Sequence, residues 1–225
     1  MNLTLIQPAM GRINEKKFIK PWTLEPLTIS LLRGLVPENF NVNFYDDRIE
    51  DINYDYPTDL AAITVETFNA LRSYEIAKAY KERGIPVVLG GVHPTLIPEE
   101  ASKYADSIVT GQAENTWPKL LNDFKKGKLG KIYTQEGNPS LRGRKLDRSI
   151  FDGKKYLPVQ SLEMGRGCTS KCEFCAIPVF FEGYNPRSLK EVLIEIEENN
   201  MQQIFLTDDN LSAYPNQLLE FCEGI

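Results

Sequence analysis

The chain has 225 residues, 42% of them hydrophobic and 25% charged, with a formal net charge of −5. That is enough to bury the core of one large domain, or of a domain and part of another, and the mild, interspersed charge points away from nucleic acid or an anionic membrane surface toward small-molecule partners. There is no charged-then-apolar leader at Met1, and no apolar run approaches the roughly 18 to 20 residues that cross a bilayer, so a cytoplasmic protein without a membrane span is expected.

From Met1 to about Lys126 short β-branched runs alternate with segments of helical period, the pattern of a parallel sheet covered by helices. The predicted strands are Leu3 to Ile6, Val42 to Tyr45, Leu60 to Thr64, Val87 to Leu89 and Ser107 to Val109. Helices are expected around Leu27 to Leu35, Phe68 to Arg83, Glu99 to Tyr104 and Thr116 to Phe124. Each strand runs into small or polar residues, among them Gln7, Glu66 and Thr67, Gly90 and Gly91, and Gly111 and Gln112. In a doubly wound sheet, ligands sit outside the carboxyl ends of the strands, so these five loops should form one binding edge. No G-x-G-x-x-G follows the first strand and no Walker lysine motif is present, which argues against ordinary dinucleotide or nucleoside triphosphate binding.

The glycine-rich, basic stretch from 127 to 156 lacks clear periodicity and reads as a linker between a domain at 1–126 and a second unit at 157–225. In the second unit a strand at Val159 to Glu163 leads into Met164-Gly-Arg-Gly167 and a cysteine cluster. Leu189, Val192, Leu193 and Ile196 then recur with helical spacing, with Asn185 or Ser188 as possible caps. A strand at Ile204 to Leu206 ends in Thr207-Asp-Asp-Asn210, and Pro215 opens a last helix. This β-loop-α-β-α pattern is the start of an α/β barrel, so a chain cut short within a longer enzyme is the expected explanation.

Three of the four cysteines fall within eight positions, as C-x3-C-x2-C: Cys168, Cys172 and Cys175. Thiols packed this closely point to metal or redox chemistry rather than a disulfide framework. A structural zinc site commonly uses four protein ligands, and here only Cys222 could supply the fourth. A zinc site completed by Cys222 and three incidental core cysteines are the alternatives to a three-thiolate site. Cys222, with Leu218, Leu219 and Phe221 nearby, reads as core packing. The segment Cys168-Thr-Ser-Lys-Cys172-Glu-Phe-Cys175 resembles the signature loop of radical S-adenosylmethionine (radical SAM) enzymes, including the aromatic Phe174 before the third cysteine. The resemblance implies a [4Fe-4S] cluster on the three cysteines, with S-adenosylmethionine on its open iron. It also implies an external electron donor such as flavodoxin or ferredoxin. Phe174, Asp208, Asp209 and Asn210 would then lie at the S-adenosylmethionine site. Asp-Asp-Asn would serve equally well as an Asx turn.

Ile63-Thr64-Val-Glu66-Thr67, Val87-Val-Leu-Gly90-Gly91-Val-His93-Pro94 and Gly111-Gln112-Ala113-Glu114 together resemble the cobalamin-binding domain that precedes the radical domain in many of these enzymes. That resemblance implies a flavodoxin-like (Rossmann-type), doubly wound, five-stranded parallel sheet followed by the first β/α units of a partial barrel. It places Gln7, Thr64, Glu66, Thr67, Gly90, Gly91, His93, Gly111, Gln112 and Glu114 at cobalamin. The loop Pro8-Ala-Met-Gly-Arg-Ile lacks the D-x-H-x-x-G motif of proteins that put histidine on cobalt, and the only histidine, His93, follows the fourth strand instead. The activity implied is methyl transfer to an unactivated carbon through a 5′-deoxyadenosyl radical and methylcobalamin, with no catalytic side chain singled out. A ring-forming cyclase and a non-catalytic cobalamin carrier or sensor with a vestigial cluster loop are the alternatives.

Overall fold

In a computed structural model of the chain, the described residues are 1–10, 12–13, 16–17, 23–199 and 201–225. Gly11, of the stretch Pro8-Ala-Met-Gly-Arg-Ile, lies outside them. The first unit is a six-stranded parallel sheet of β1 (Asn2–Gln7), β2 (Asn41–Asp46), β3 (Leu60–Thr64), β4 (Val87–Gly90), β5 (Ser107–Thr110) and β6 (Ile132–Thr134), in spatial order β2-β1-β3-β4-β5-β6. Its helices are α1 (Leu27–Gly34), α2 (Ala70–Glu82), the short α3 (Val92–Leu96) and α4 (Pro98–Ala101), and α5 (Thr116–Lys125).

Both faces of the sheet are covered, which is why its strands read as apolar runs. Successive residues point to opposite faces. Leu3, Leu5, Leu60, Ala62, Val88 and Val109 pack with Ile29 and Leu32 of α1 and Trp117, Leu120 and Leu121 of α5. Ile6, Ala61, Ile63, Val87, Leu89 and Ile108 pack on the other side with Tyr74, Ile76, Ala77 and Tyr80 of α2. The indole of Trp117 donates to the Leu32 carbonyl at 3.1 Å, fastening α5 to α1.

Six strands stand where five were expected. β6 falls in the stretch read as a linker, because as a three-residue edge strand it buries only Tyr133 and shows no alternation long enough to read. The helix expected at Glu99 to Tyr104 is replaced by two short ones, the first beginning directly after Gly91. The rest of the 127–156 stretch also packs tightly. Phe151 meets Phe44 and Tyr156 edge-on, the Tyr156 hydroxyl donates to the buried Asp46 at 2.7 Å, and a Cβ on Gly34 would collide with the Lys145 carbonyl.

The second unit contains β7 (Gln160–Leu162), β8 (Gly165–Gly167), α6 (Ile177–Phe180), β9 (Tyr184–Pro186), α7 (Leu189–Asn199), β10 (Ile204–Leu206) and α8 (Pro215–Gly224). β7 and β10 pair in parallel across the α7 crossover, while β8 and β9 form an antiparallel pair that brackets the cysteine loop and was not expected. All four apolar positions predicted for α7 pack with Leu162, Met164 and Phe221. Cys222 is exposed on α8 rather than in that core. Among the described residues no helix is long and apolar enough to cross a membrane.

Leu5 is fully buried in the first core. Leu5→Ala is expected to lower unfolding free energy by about 2–5 kcal/mol. Leu71→Ala, at a position 73% exposed, is expected to change it by less than about 0.5 kcal/mol. Urea melts followed by circular dichroism compare the two.

Candidate functional site

The strand order reverses between β1 and β3, the crevice where doubly wound sheets take their ligands. The last residues of these strands meet there, with the Thr64 hydroxyl donating to Gln7 Oε1 at 2.9 Å. A cavity of about 500 Å³ opens at this edge, within the usual size of small-molecule sites. Gln7, Thr64, Glu66, Gly90, Gly91, Gly111 and Gln112 line it from the first unit, with Leu31, Val109 and Trp117 supplying apolar wall. Arg144, Glu163, Arg166, Phe180, Phe181 and Asp209 close it from the other side.

The two glycines after β4 differ in what demands them. Gly91 has φ +115°, and a Cβ there would sit 2.7 Å from the Val65 carbonyl oxygen, so the fold itself requires glycine. At Gly90 an added Cβ would make only an ordinary 3.5 Å contact with Val109. Its bare backbone instead leaves space along the cavity.

Three of the residues named for this site stand off the cavity wall. His93 is buried behind it, with Nε2 3.0 Å from the Tyr74 hydroxyl and 3.4 Å from Glu100, and Nδ1 3.4 Å from Thr67 Oγ1. Thr67 shares that contact and does not line the cavity. Glu114 points instead to Arg166 Nη1, 2.5 Å away. Gln112 does line the cavity, yet its amide is engaged on both sides: Nε2 donates to Asn138 at 3.2 Å and Oε1 accepts from Arg166 at 3.0 Å.

The cysteine loop leaves β8. Gly167, at φ +83°, is required by the backbone, since a Cβ there would strike the Gly183 carbonyl, whereas a Cβ on Gly165 would lie 2.5 Å from the Tyr184 hydroxyl and that ring would have to yield. The Asp208-Asp209-Asn210 tripeptide binds this strand residue by residue. Asp208 accepts from the Met164 and Gly165 amides at 3.0 and 2.8 Å, Asp209 accepts from Gly167 at 2.9 Å, and Asn210 Nδ2 donates to Cys168 Sγ at 3.5 Å. These side chains brace the strand that carries the first cysteine. The Tyr214 hydroxyl accepts from the Thr169 amide at 3.1 Å on the far side.

The three loop cysteines are free thiols, Cys172 exposed and the other two partly so. Hydrogen bonds from Ser170, and then from Asn210, hold the Cys168 thiol below its ordinary range. Among the described residues no three His, Cys, Asp or Glu side chains are grouped to hold a single metal ion. Phe174 is 93% exposed beside Cys175.

Arg166, Glu163 and Arg144 were not anticipated as site residues. Burial alone would raise the Glu163 carboxyl, but Arg166 and Arg144 more than offset it and hold it below the usual carboxylate range. The available signal was an arginine set between two glycines directly before the first cysteine. Nothing marked Arg144, which sits in the stretch read as a linker.

A doubly wound domain with a ligand cavity at its switch point, flanked by a unit that carries a three-thiol loop, is the class that fold and site define. Residues 24–121 match the B12 binding domain family. The chain is 32% identical over 217 residues to bacteriochlorophyllide d C-8(2)-methyltransferase of Chlorobaculum tepidum, covering 86% of this chain and 48% of that protein. It is 31% identical over 214 residues to bacteriochlorophyllide d C-12(1)-methyltransferase of the same organism, covering 89% and 47%. Hopanoid C-2 methylase of Rhodopseudomonas palustris is 24% identical over 207 residues, covering 83% and 37%. The chain thus spans about half the length of the first two relatives. Residues 24–121 thus match a B12 binding domain, and along most of its length the chain is similar to these methyltransferases.

Within the cavity, burial pushes the Glu66 carboxyl up to about 7. The folded chain therefore holds that proton more tightly than the unfolded chain, whose Glu titrates near about 4.3. The resulting stabilisation is fully present below the unfolded value and is lost as pH rises through about 7. Glu66→Gln, neutral throughout, is expected to remove this loss, so the parent should fall in stability relative to the variant between about pH 5 and about pH 7.5. Urea midpoints for both proteins across that range are the check; parallel profiles would contradict the assignment.

Proposed function

We propose that the chain is the cofactor-binding part of a cobalamin-dependent radical SAM methyltransferase that methylates an unactivated carbon of a small molecule. Residues 1–126, joined by β6 from the connecting stretch 127–156, would form the cobalamin domain, and 157–225 the first β/α units of the radical SAM domain. The observation that carries this reading is the cavity shared by the strand ends of the B12 binding domain and the module bearing the cysteine loop.

The residues present fit both groups. Apolar walls and the bare backbone at Gly90 suit the face of a large flat ring, and the Gln7 amide and Thr64 hydroxyl suit the amide arms at its rim. His93, held by Tyr74 and Thr67, does not line the cavity, so no histidine of this chain is assigned to cobalt. Three free thiols, soft ligands suited to iron–sulfur clusters, fit a [4Fe-4S] site with one iron left for S-adenosylmethionine. When bound, these groups supply hydrogen abstraction from an unactivated carbon and delivery of a methyl group.

The chain's own residues orient and enclose them. Asp208, Asp209 and Asn210 hold the strand and thiol from which the cluster would hang, which favours a positioning role over direct contact with S-adenosylmethionine. Phe180 and Phe181 close the cavity on the cysteine-loop side, limiting water there. The relatives are named for a bacteriochlorophyllide and a hopanoid, so a large, mostly apolar skeleton is the substrate class favoured. The reaction would draw electrons from a flavodoxin- or ferredoxin-like donor in the cytoplasm.

Anaerobic reconstitution with iron and sulfide tests the cluster. The parent and Cys222→Ser are expected to take up about four irons per chain with a thiolate-to-iron absorption band, and serine at Cys168, Cys172 or Cys175 is expected to abolish both. Zinc bound in place of iron, or full iron retained in those three variants, would defeat the assignment. Cobalamin is tested separately: Gly90→Ala is expected to weaken hydroxocobalamin binding about tenfold or more, as about 1.4 kcal/mol would, with little change in the urea midpoint. Tight cobalamin with no cluster in any form would favour a carrier or sensor.

A further inference from the structure

The ion pair between the cysteine strand and the loop after β5 forms part of the cavity wall, and its members reach both proposed cofactor sites. Arg166 lies on β8, two positions before Cys168, with its side chain only 13% exposed. Its Nη1 donates to Gln112 Oε1 at 3.0 Å and to Glu114 Oε1 at 2.5 Å, and its Nε donates to Glu163 Oε1 at 2.8 Å. Gln112, Glu163 and Arg166 all line the cavity.

Glu114 depends on this contact. Its side chain is 8% exposed, and its second oxygen is buried without a hydrogen-bond partner among the described residues. A buried carboxylate is tolerated when a cation faces it, so Arg166 and Glu114 hold each other in place. The loop that carries Glu114 is tied in turn to the glycine turn at the cavity. The Gly111 amide donates to Thr95 Oγ1 at 2.9 Å, and that hydroxyl donates to the Gly91 carbonyl at 2.8 Å. A continuous path of hydrogen bonds and backbone therefore runs from Gly91 through Thr95, Gly111, Gln112 and Arg166 to Cys168.

We propose that Arg166 is a positioning residue that couples the two sites, so that a corrinoid filling the cavity orders the strand from which the cysteine loop hangs. The wall formed by Gln112 and Arg166 has few alternative positions once a ligand presses against it, and β8 is carried with it. This rests on the assignment of cobalamin to the cavity. Coupling between binding sites is reciprocal, so a more ordered cysteine loop also favours cobalamin.

Hydrogen–deuterium exchange on the full chain, with and without hydroxocobalamin, tests the coupling while absorbance titration reports binding. In the parent, hydroxocobalamin is expected to slow exchange across residues 164–168 about fivefold or more, the low end of typical coupling between sites. Arg166→Gln is expected to bind hydroxocobalamin and to lose that slowing. Glu114→Gln, which leaves β8 untouched, carries the same expectation and serves if Arg166→Gln does not fold. A purely structural arginine would raise exchange equally in the free and bound variant and preserve the ratio; that result overturns the coupling. Bound cobalamin without slowing in the parent overturns it too. A parent chain that binds no hydroxocobalamin overturns the cavity assignment and the coupling together, which separates the two failures.

Discussion

A parallel sheet buried on both faces confines chemistry to its edges. β1, β3, β4 and β5 present apolar side chains to α1 and α5 on one side and to α2 on the other, so no polar group along them can serve a ligand without unfilling a core. Only where the strands end can hydroxyls, amides and bare glycine backbone gather. Gln7, Thr64, Gly90, Gly91 and Gly111 are such ends, and the reversal of strand order at β1 and β3 opens the space between them.

The second unit is held against that edge by buried charge. Arg166 spans Glu163 and Glu114, Arg144 also pairs with Glu163, Arg187 pairs with Glu195, and Arg148 bridges Glu195 of α7 and Glu25 of the first unit. Burial, opposed by Glu163 but reinforced by Arg166 and Arg187, pulls the Arg144 guanidinium below its usual range. Such pairs contribute little net stability because desolvation offsets much of their attraction, but losing one partner strands the other. A junction built this way specifies geometry more than it adds affinity, which suits a site assembled from two units.

The cysteine loop follows the same logic at smaller scale. Its thiols are exposed enough to reach a ligand, so the strand beneath carries the order: Asp208 and Asp209 take up backbone amides of that strand and Asn210 reaches Cys168. Burial pushes the Asp208 carboxyl upward even though the Met164 and Gly165 amides pull it down. The acidic tripeptide at the end of β10 thereby serves its neighbour strand, a role that sequence spacing alone does not reveal.

Local pattern determined much of this protein. β-branched runs marked β1 to β5, a helical repeat marked α7, and C-x3-C-x2-C marked the thiol loop, because period and ligand spacing are properties of adjacent residues. β6 escaped notice since one buried tyrosine in three residues makes no period. His93 and Glu114 were drawn to the cavity by their positions after β4 and β5, but which way a loop side chain turns depends on its neighbours: Tyr74 on α2 for one, Arg166 on β8 for the other. Both neighbours are remote in sequence, 19 residues away in the first case and 52 in the second. The sequence by itself therefore determined the longer, periodic elements, the polar edge and the thiol loop. Which charged groups meet across that edge was decided only by the tertiary structure, because a buried carboxylate takes whichever cation the fold brings within reach.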